Sequence, residues 1–105
     1  MVTREDAERM ILAGEREIII RTASVTRDYP NVRAVSFKMG SDVHHALIRL
    51  EDNGSIRQMN MDRYGGLTES DLTWPSMQTT IEYFLALSTP RRISIYDSVS
   101  VGAGK

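Results

Sequence analysis

Two glycine-marked turns, Gly40-Ser41 and Asn53-Gly54, cut residues 32–61 into three runs of strand length. Their spacing decides which side chains share a surface. A two-residue turn at Gly40-Ser41 sets Phe37 opposite His44 and Val35 opposite Ala46. Asn-Gly is the strongest short hairpin signal, because a type I′ turn needs positive φ at both central residues. A two-residue loop at Asn53-Gly54 pairs Glu51 with Ile56, Leu50 with Arg57, Ile48 with Met59 and Ala46 with Met61. Both registers then collect Val35, Phe37, Ala46, Ile48, Leu50, Met59 and Met61 on one face, closed at its end by the stem of Arg57. The other face holds Ser36, Lys38, His45, Arg49, Glu51, Gln58 and Asn60, with Ala34, Val43, Leu47 and Ile56 among them, and reads as mostly solvated. A one-residue slip sends every side chain to the opposite face, so this agreement of turn and pattern predicts a three-stranded antiparallel meander over 33–61.

The flanking segments extend this sheet and cover it. Thr3 and Asp6 resemble a capping box, Ala7, Met10 and Ile11 recur at helical spacing, and Gly14 is a left-handed stop, so a short helix is expected over 4–13. Residues 17–25, with Ile18 to Ile20 unbroken, read as a strand. Residues 62–71 read as a loop with paired glycines. Thr73 is the expected cap of a helix over 74–87, whose stripe Met77, Ile81, Phe84 and Leu85 is widened by Trp74, Tyr83 and Leu87. Residues 92–99 alternate as a final strand. The expected fold is α+β, a single domain over 1–105. Its four- to five-stranded antiparallel sheet has the helix 74–87 packed on one face, and the pattern leaves open whether the short N-terminal helix 4–13 covers that same face or protects an edge.

Composition narrows the function classes. The chain has 105 residues, 41% hydrophobic and 26% charged, with no cysteine, so disulfide frameworks, zinc ribbons and thiol nucleophiles are excluded. Thirteen basic against fourteen acidic residues leave a formal charge of −1, so any polyanion site is a local patch. No run has the length or apolarity of a signal peptide or a membrane span, and a cytoplasmic protein is the default expectation.

Reactive constellations are sparse. His44 and His45 are adjacent on a strand and point to opposite faces, which opposes a shared metal; His44 is expected under the helix and His45 on the surface. The paired carboxylates read as helix-terminal, edge and turn charges, no glycine-flanked serine elbow appears, and no metal or cofactor is expected. The segment 62–73 carries residue types common at interface hot spots. Arg63, Tyr64, Leu67, Glu69 and Asp71 are therefore the candidate partner-binding residues. The first expectation is a small non-catalytic protein that binds another protein or complex as a regulator or inhibitor. Size and absence of motif match phage- and mobile-element-encoded antagonists such as anti-CRISPR inhibitors and toxin immunity proteins, an analogy of profile only. A second copy of the chain, through an edge strand or the face bearing Ala34, Val43 and Leu47, is a further expected partner. The alternative is a nucleic-acid-binding domain using Arg49, Arg57, Lys38 and Arg33, and a small oligomeric enzyme stands third.

Overall fold

The computed structural model describes residues 2–22 and 29–88. The helix α1 (Arg4–Leu12) is followed by strands β1 (Ile18–Arg21), β2 (Val32–Met39), β3 (Asp42–Leu50), β4 (Ile56–Met61) and β5 (Leu67–Trp74), then by the helix α2 (Met77–Ser88). The five strands form one antiparallel sheet in sequence order, β1-β2-β3-β4-β5. The α+β class and the antiparallel meander are as the sequence predicts. The expected strand over 92–99 and the end of the run 17–25 lie outside the described residues.

The β2–β3 register is the expected one, with Phe37 opposite His44 and Val35 opposite Ala46. Gly40, at φ +64°, supplies the positive dihedral that this two-residue turn requires. The β3–β4 register differs by one residue: Leu50 opposes Ile56, Arg49 opposes Arg57 and Leu47 opposes Met59. The loop has three residues rather than two. Gly54 N donates to Glu51 O at 3.0 Å, Glu51 N donates to Ser55 O at 2.9 Å, and Gly54 takes φ +90° as the bulged left-handed residue. Asn53 Oδ1 accepts from both the amide and the hydroxyl of Ser55 and stabilises that geometry. The extra loop residue turns every β4 side chain over. Ile56 enters the main core, while Met59 and Met61 move to the opposite face from Ile48.

A second correction concerns residues 62–74. The predicted loop is a tight three-residue turn followed by β5, which pairs with β4 along its length except at an irregularity between Arg57 and Met59. Trp74 ends this strand instead of opening the helix, and α2 starts at Met77, where the Ser76 hydroxyl accepts from Thr79 N at 3.2 Å. Trp74 still reaches the seam between helix and sheet, with Phe84 at 5.5 Å between ring centroids and Phe84 in turn 5.0 Å from Phe37. Val35, Phe37, Ile48, Ile56, Trp74 and Phe84 are the main core, bordered by Ile18, Ile20, Ala46, Leu50, Leu72 and Met77. Tyr83 and Leu87, expected within the stripe, are over a third exposed, and Thr80 is buried instead, its hydroxyl donating to Ser76 O at 2.8 Å.

The opposite face is only partly solvated, because α1 lies on it. Thr3 Oγ1 accepts from Asp6 N at 3.0 Å, as the cap predicts, and Ala7 and Ile11 are buried against the sheet. Val32, Ala34 and Ser36, the residues of β2 that point away from α2, are buried on this face. Helix, sheet and helix form three layers.

Candidate functional site

Two surface features and one buried cluster carry the chemistry of this fold. The first surface feature is the β4–β5 turn. Asp62 Oδ1 accepts from Tyr64 N at 2.8 Å and from Gly66 N at 2.9 Å, while Gly65 N donates to Asp62 O and Asp62 N donates to Gly66 O. Gly65 sits at φ +84°, the same role that Gly54 plays in the preceding hairpin. This bracing lifts Tyr64 clear of the fold at 86% exposure, and the Arg63 guanidinium lies 5.8 Å from its ring centroid. Met61 and Leu67 oppose each other at the base of the hairpin. Leu12, Met39, Met61 and Tyr64, four of the exposed large apolar residues, all belong to the end of the molecule where α1 stops and the β2–β3 and β4–β5 turns fall.

Of the sequence-predicted partner residues, Arg63 and Tyr64 share the turn and Leu67 stands at its base. Glu69 and Asp71 lie further along β5, both exposed, and Glu69 is engaged by Arg49.

The second surface feature is a charge cluster across β3, β4 and β5. Arg49 and Arg57 are directly opposite, a like-charge pairing that is unfavourable by itself. Two glutamates offset it: Arg49 donates to Glu69 at 2.6 Å and to Glu51 at 2.9 Å, and Arg57 Nε lies 3.9 Å from Glu51. The carboxylates raise the Arg49 pKa, that of Glu69 first and then that of Glu51, and Arg49 lowers that of Glu69. Arg57 also donates to Ser70 O at 2.9 Å. Lys38 is on the same face near the other end of the sheet. Arg33, by register, is on the α2 face and donates to Pro30 O and Val32 O. The four basic residues named from the sequence therefore do not gather into one patch.

The buried cluster is a feature that the sequence pattern does not announce. His45 is not the surface residue expected, and His44, expected under the helix, is exposed beside Phe37. The two imidazoles point to opposite faces, as adjacent strand residues must. His45 lies under α1 with its side chain 14% exposed; its Nε2 is 2.8 Å from Glu8 Oε2 and its Nδ1 is 2.8 Å from Ser36 Oγ. Arg21, 8% exposed, donates from Nε to Ser36 Oγ at 3.0 Å and approaches His45 Nδ1 at 3.2 Å. A guanidinium can only donate, so Nδ1 must accept, which assigns the proton to Nε2 and directs it at Glu8. That hydrogen bond is the largest cause of the lowered Glu8 pKa, and burial is the largest cause of the lowered Arg21 pKa.

Serine, histidine and glutamate thus stand in hydrogen-bonding sequence, but Ser36 is fully buried and its oxygen is occupied by Arg21. A nucleophile needs an open approach and a free base. This cluster ties α1 to β1, β2 and β3. The Gly40-Ser41 turn already implies Ser36 opposite His45; the position of α1 over them leaves no local signal in the sequence.

No protein-family model, curated protein or solved structure matches the chain.

Proposed function

We propose that this protein works by binding another protein, as a non-catalytic regulator or inhibitor, through the end of the molecule that carries the β4–β5 turn. The observation that carries the reading is Tyr64, almost wholly exposed on a turn braced by Asp62, with Arg63 beside it. A tyrosine whose backbone is already fixed has less entropy left to lose on binding, and tyrosine and arginine are enriched at interface hot spots. Met39, Met61 and Leu12 at the same end add adaptable apolar area around that anchor. The occupation of Ser36 by Arg21 supports a binding rather than a catalytic role.

The test is affinity capture from the native cell, comparing the full chain with Tyr64→Ala, Arg63→Ala and, at the opposite end of the sheet, Asp52→Ala. A partner retained by the parent and by Asp52→Ala but lost by both turn variants supports the reading. A partner retained by all four sinks the assignment to this turn. Retention of nucleic acid that falls steeply with salt and is lost on Arg57→Ala favours the nucleic-acid alternative instead.

A further inference from the structure

We propose that β1 is the seam of a symmetric dimer, in which the outer edge of β1 pairs antiparallel with β1 of a second copy and Ile19 opposes Ile19 at the two-fold axis. This goes beyond the hairpin reading and does not depend on it.

The two edges of the sheet are built differently. β5 has a register irregularity and carries the exposed acids Glu69 and Asp71, both devices that discourage strand addition. A self-pairing of β5 centred on its middle would set acid against acid. β1 is Ile-Ile-Ile-Arg, with no proline, lysine or bulge, and among the described residues its strand neighbour is β2 alone. Its three isoleucines are only partly buried.

Symmetry limits the register. Antiparallel edge-to-edge pairing by a two-fold axis perpendicular to the sheet keeps like faces together, so the axis must pass through a residue position. Centring on Ile19 opposes Ile18 with Ile20 on the α2 face, where both already border the main core. Glu17, in the bend one residue before β1, then comes opposite Arg21, twice by symmetry. Glu17 is exposed, and Arg21 is a buried cation with no carboxylate at ion-pair distance among the described residues. The inner side of the Arg21 side chain is taken by Ser36 and His45; Glu17 of the second copy arrives on its outer side. Centring on Ile20 instead places Arg21 against Ile19 and forfeits both opposite-charge pairs, so the sequence Glu-Ile-Ile-Ile-Arg is self-complementary in one register.

The experiment uses the full chain, whose lack of cysteine permits single-site cross-linking. Sedimentation is expected to give twice the 11.9 kDa chain mass at high micromolar concentration. Glu17→Lys sets two like-charge pairs across the seam and is expected to weaken association about tenfold or more, with an unchanged circular dichroism spectrum. Ile19→Cys is expected to form a covalent dimer under mild oxidation, because opposed positions on antiparallel strands lie within disulfide reach. Tyr64→Cys is expected to stay uncross-linked. A chain that is monomeric at every concentration overturns the proposal. So does a dimer that Glu17→Lys leaves intact, or one that oxidation captures in Tyr64→Cys and not in Ile19→Cys.

Discussion

Ser36 is a small residue with a large number of obligations. Its oxygen accepts from Arg21 Nε and its proton goes to His45 Nδ1, so removing the hydroxyl leaves a buried donor and a buried acceptor each short of a partner. Ser36→Ala is expected to destabilise the fold by roughly 1–3 kcal/mol, the cost of unmet buried hydrogen bonds. His45→Ala is expected to cost more, because it strips partners from Arg21 and Glu8 together. His44→Ala, on the exposed neighbouring position, should lie within about 0.5 kcal/mol of the parent. Urea unfolding of the three variants measures this directly. Equal midpoints for the two histidine variants would mean that the cluster does not hold α1 in place.

Both three-residue hairpins depend on a left-handed glycine, Gly54 at φ +90° and Gly65 at φ +84°. Gly54→Ala and Gly65→Ala are each expected to cost about 1–2 kcal/mol, because a Cβ in the left-handed region meets the following carbonyl. Neither site is crowded by a neighbour, so the loss reads out the backbone alone. Thermal unfolding of the two variants beside the parent chain checks the prediction, and unchanged midpoints would count against both turn geometries. The same elements mark where local signals mislead. Asn53-Gly54 is a turn, but Asn53 bonds Ser55 rather than occupying a two-residue loop, and one extra residue reverses the faces of Ile56 and Met59. β5 escapes notice because its apolar residues fall on both sides: Leu67 shares a face with Met61, Leu72 and Trp74 share the α2 face, and polar residues fill the remainder. No period of two in hydrophobicity survives that division.

Across the three layers, two carboxylates tie distant elements. Glu8 holds α1 to β3 through His45, and Glu69 joins β5 to β3 through Arg49. Both pKa values are lowered in the fold, Glu8 chiefly by its bond to His45 and Glu69 chiefly by its bond to Arg49. The unfolded chain therefore binds more protons on these groups, and stability rises with pH where they titrate. Their contribution is present above the unfolded glutamate value of about 4.3 and is lost as pH falls through the lower folded values. Urea midpoints are expected to decline below about pH 4.3, and Glu8→Gln with Glu69→Gln should flatten that decline. An acid limb of unchanged steepness in the double variant would assign the loss to other carboxylates.

The α+β class, the capped first helix, the antiparallel meander and the β2–β3 register are legible in the order of the residues. Each is set by contacts a few residues apart, in which a cap, a glycine turn or an alternating run already contains both partners. That order also places Arg63 and Tyr64 in a connecting loop, without the tight turn braced by Asp62 that makes Tyr64 protrude. The facing of β4, the existence of β5 and the face on which α1 lies are set by packing alone. Those outcomes depend on one loop residue and on which surfaces remain uncovered once the sheet has formed. The Glu8–His45–Ser36–Arg21 cluster follows from them, since it joins four elements that only packing brings into reach.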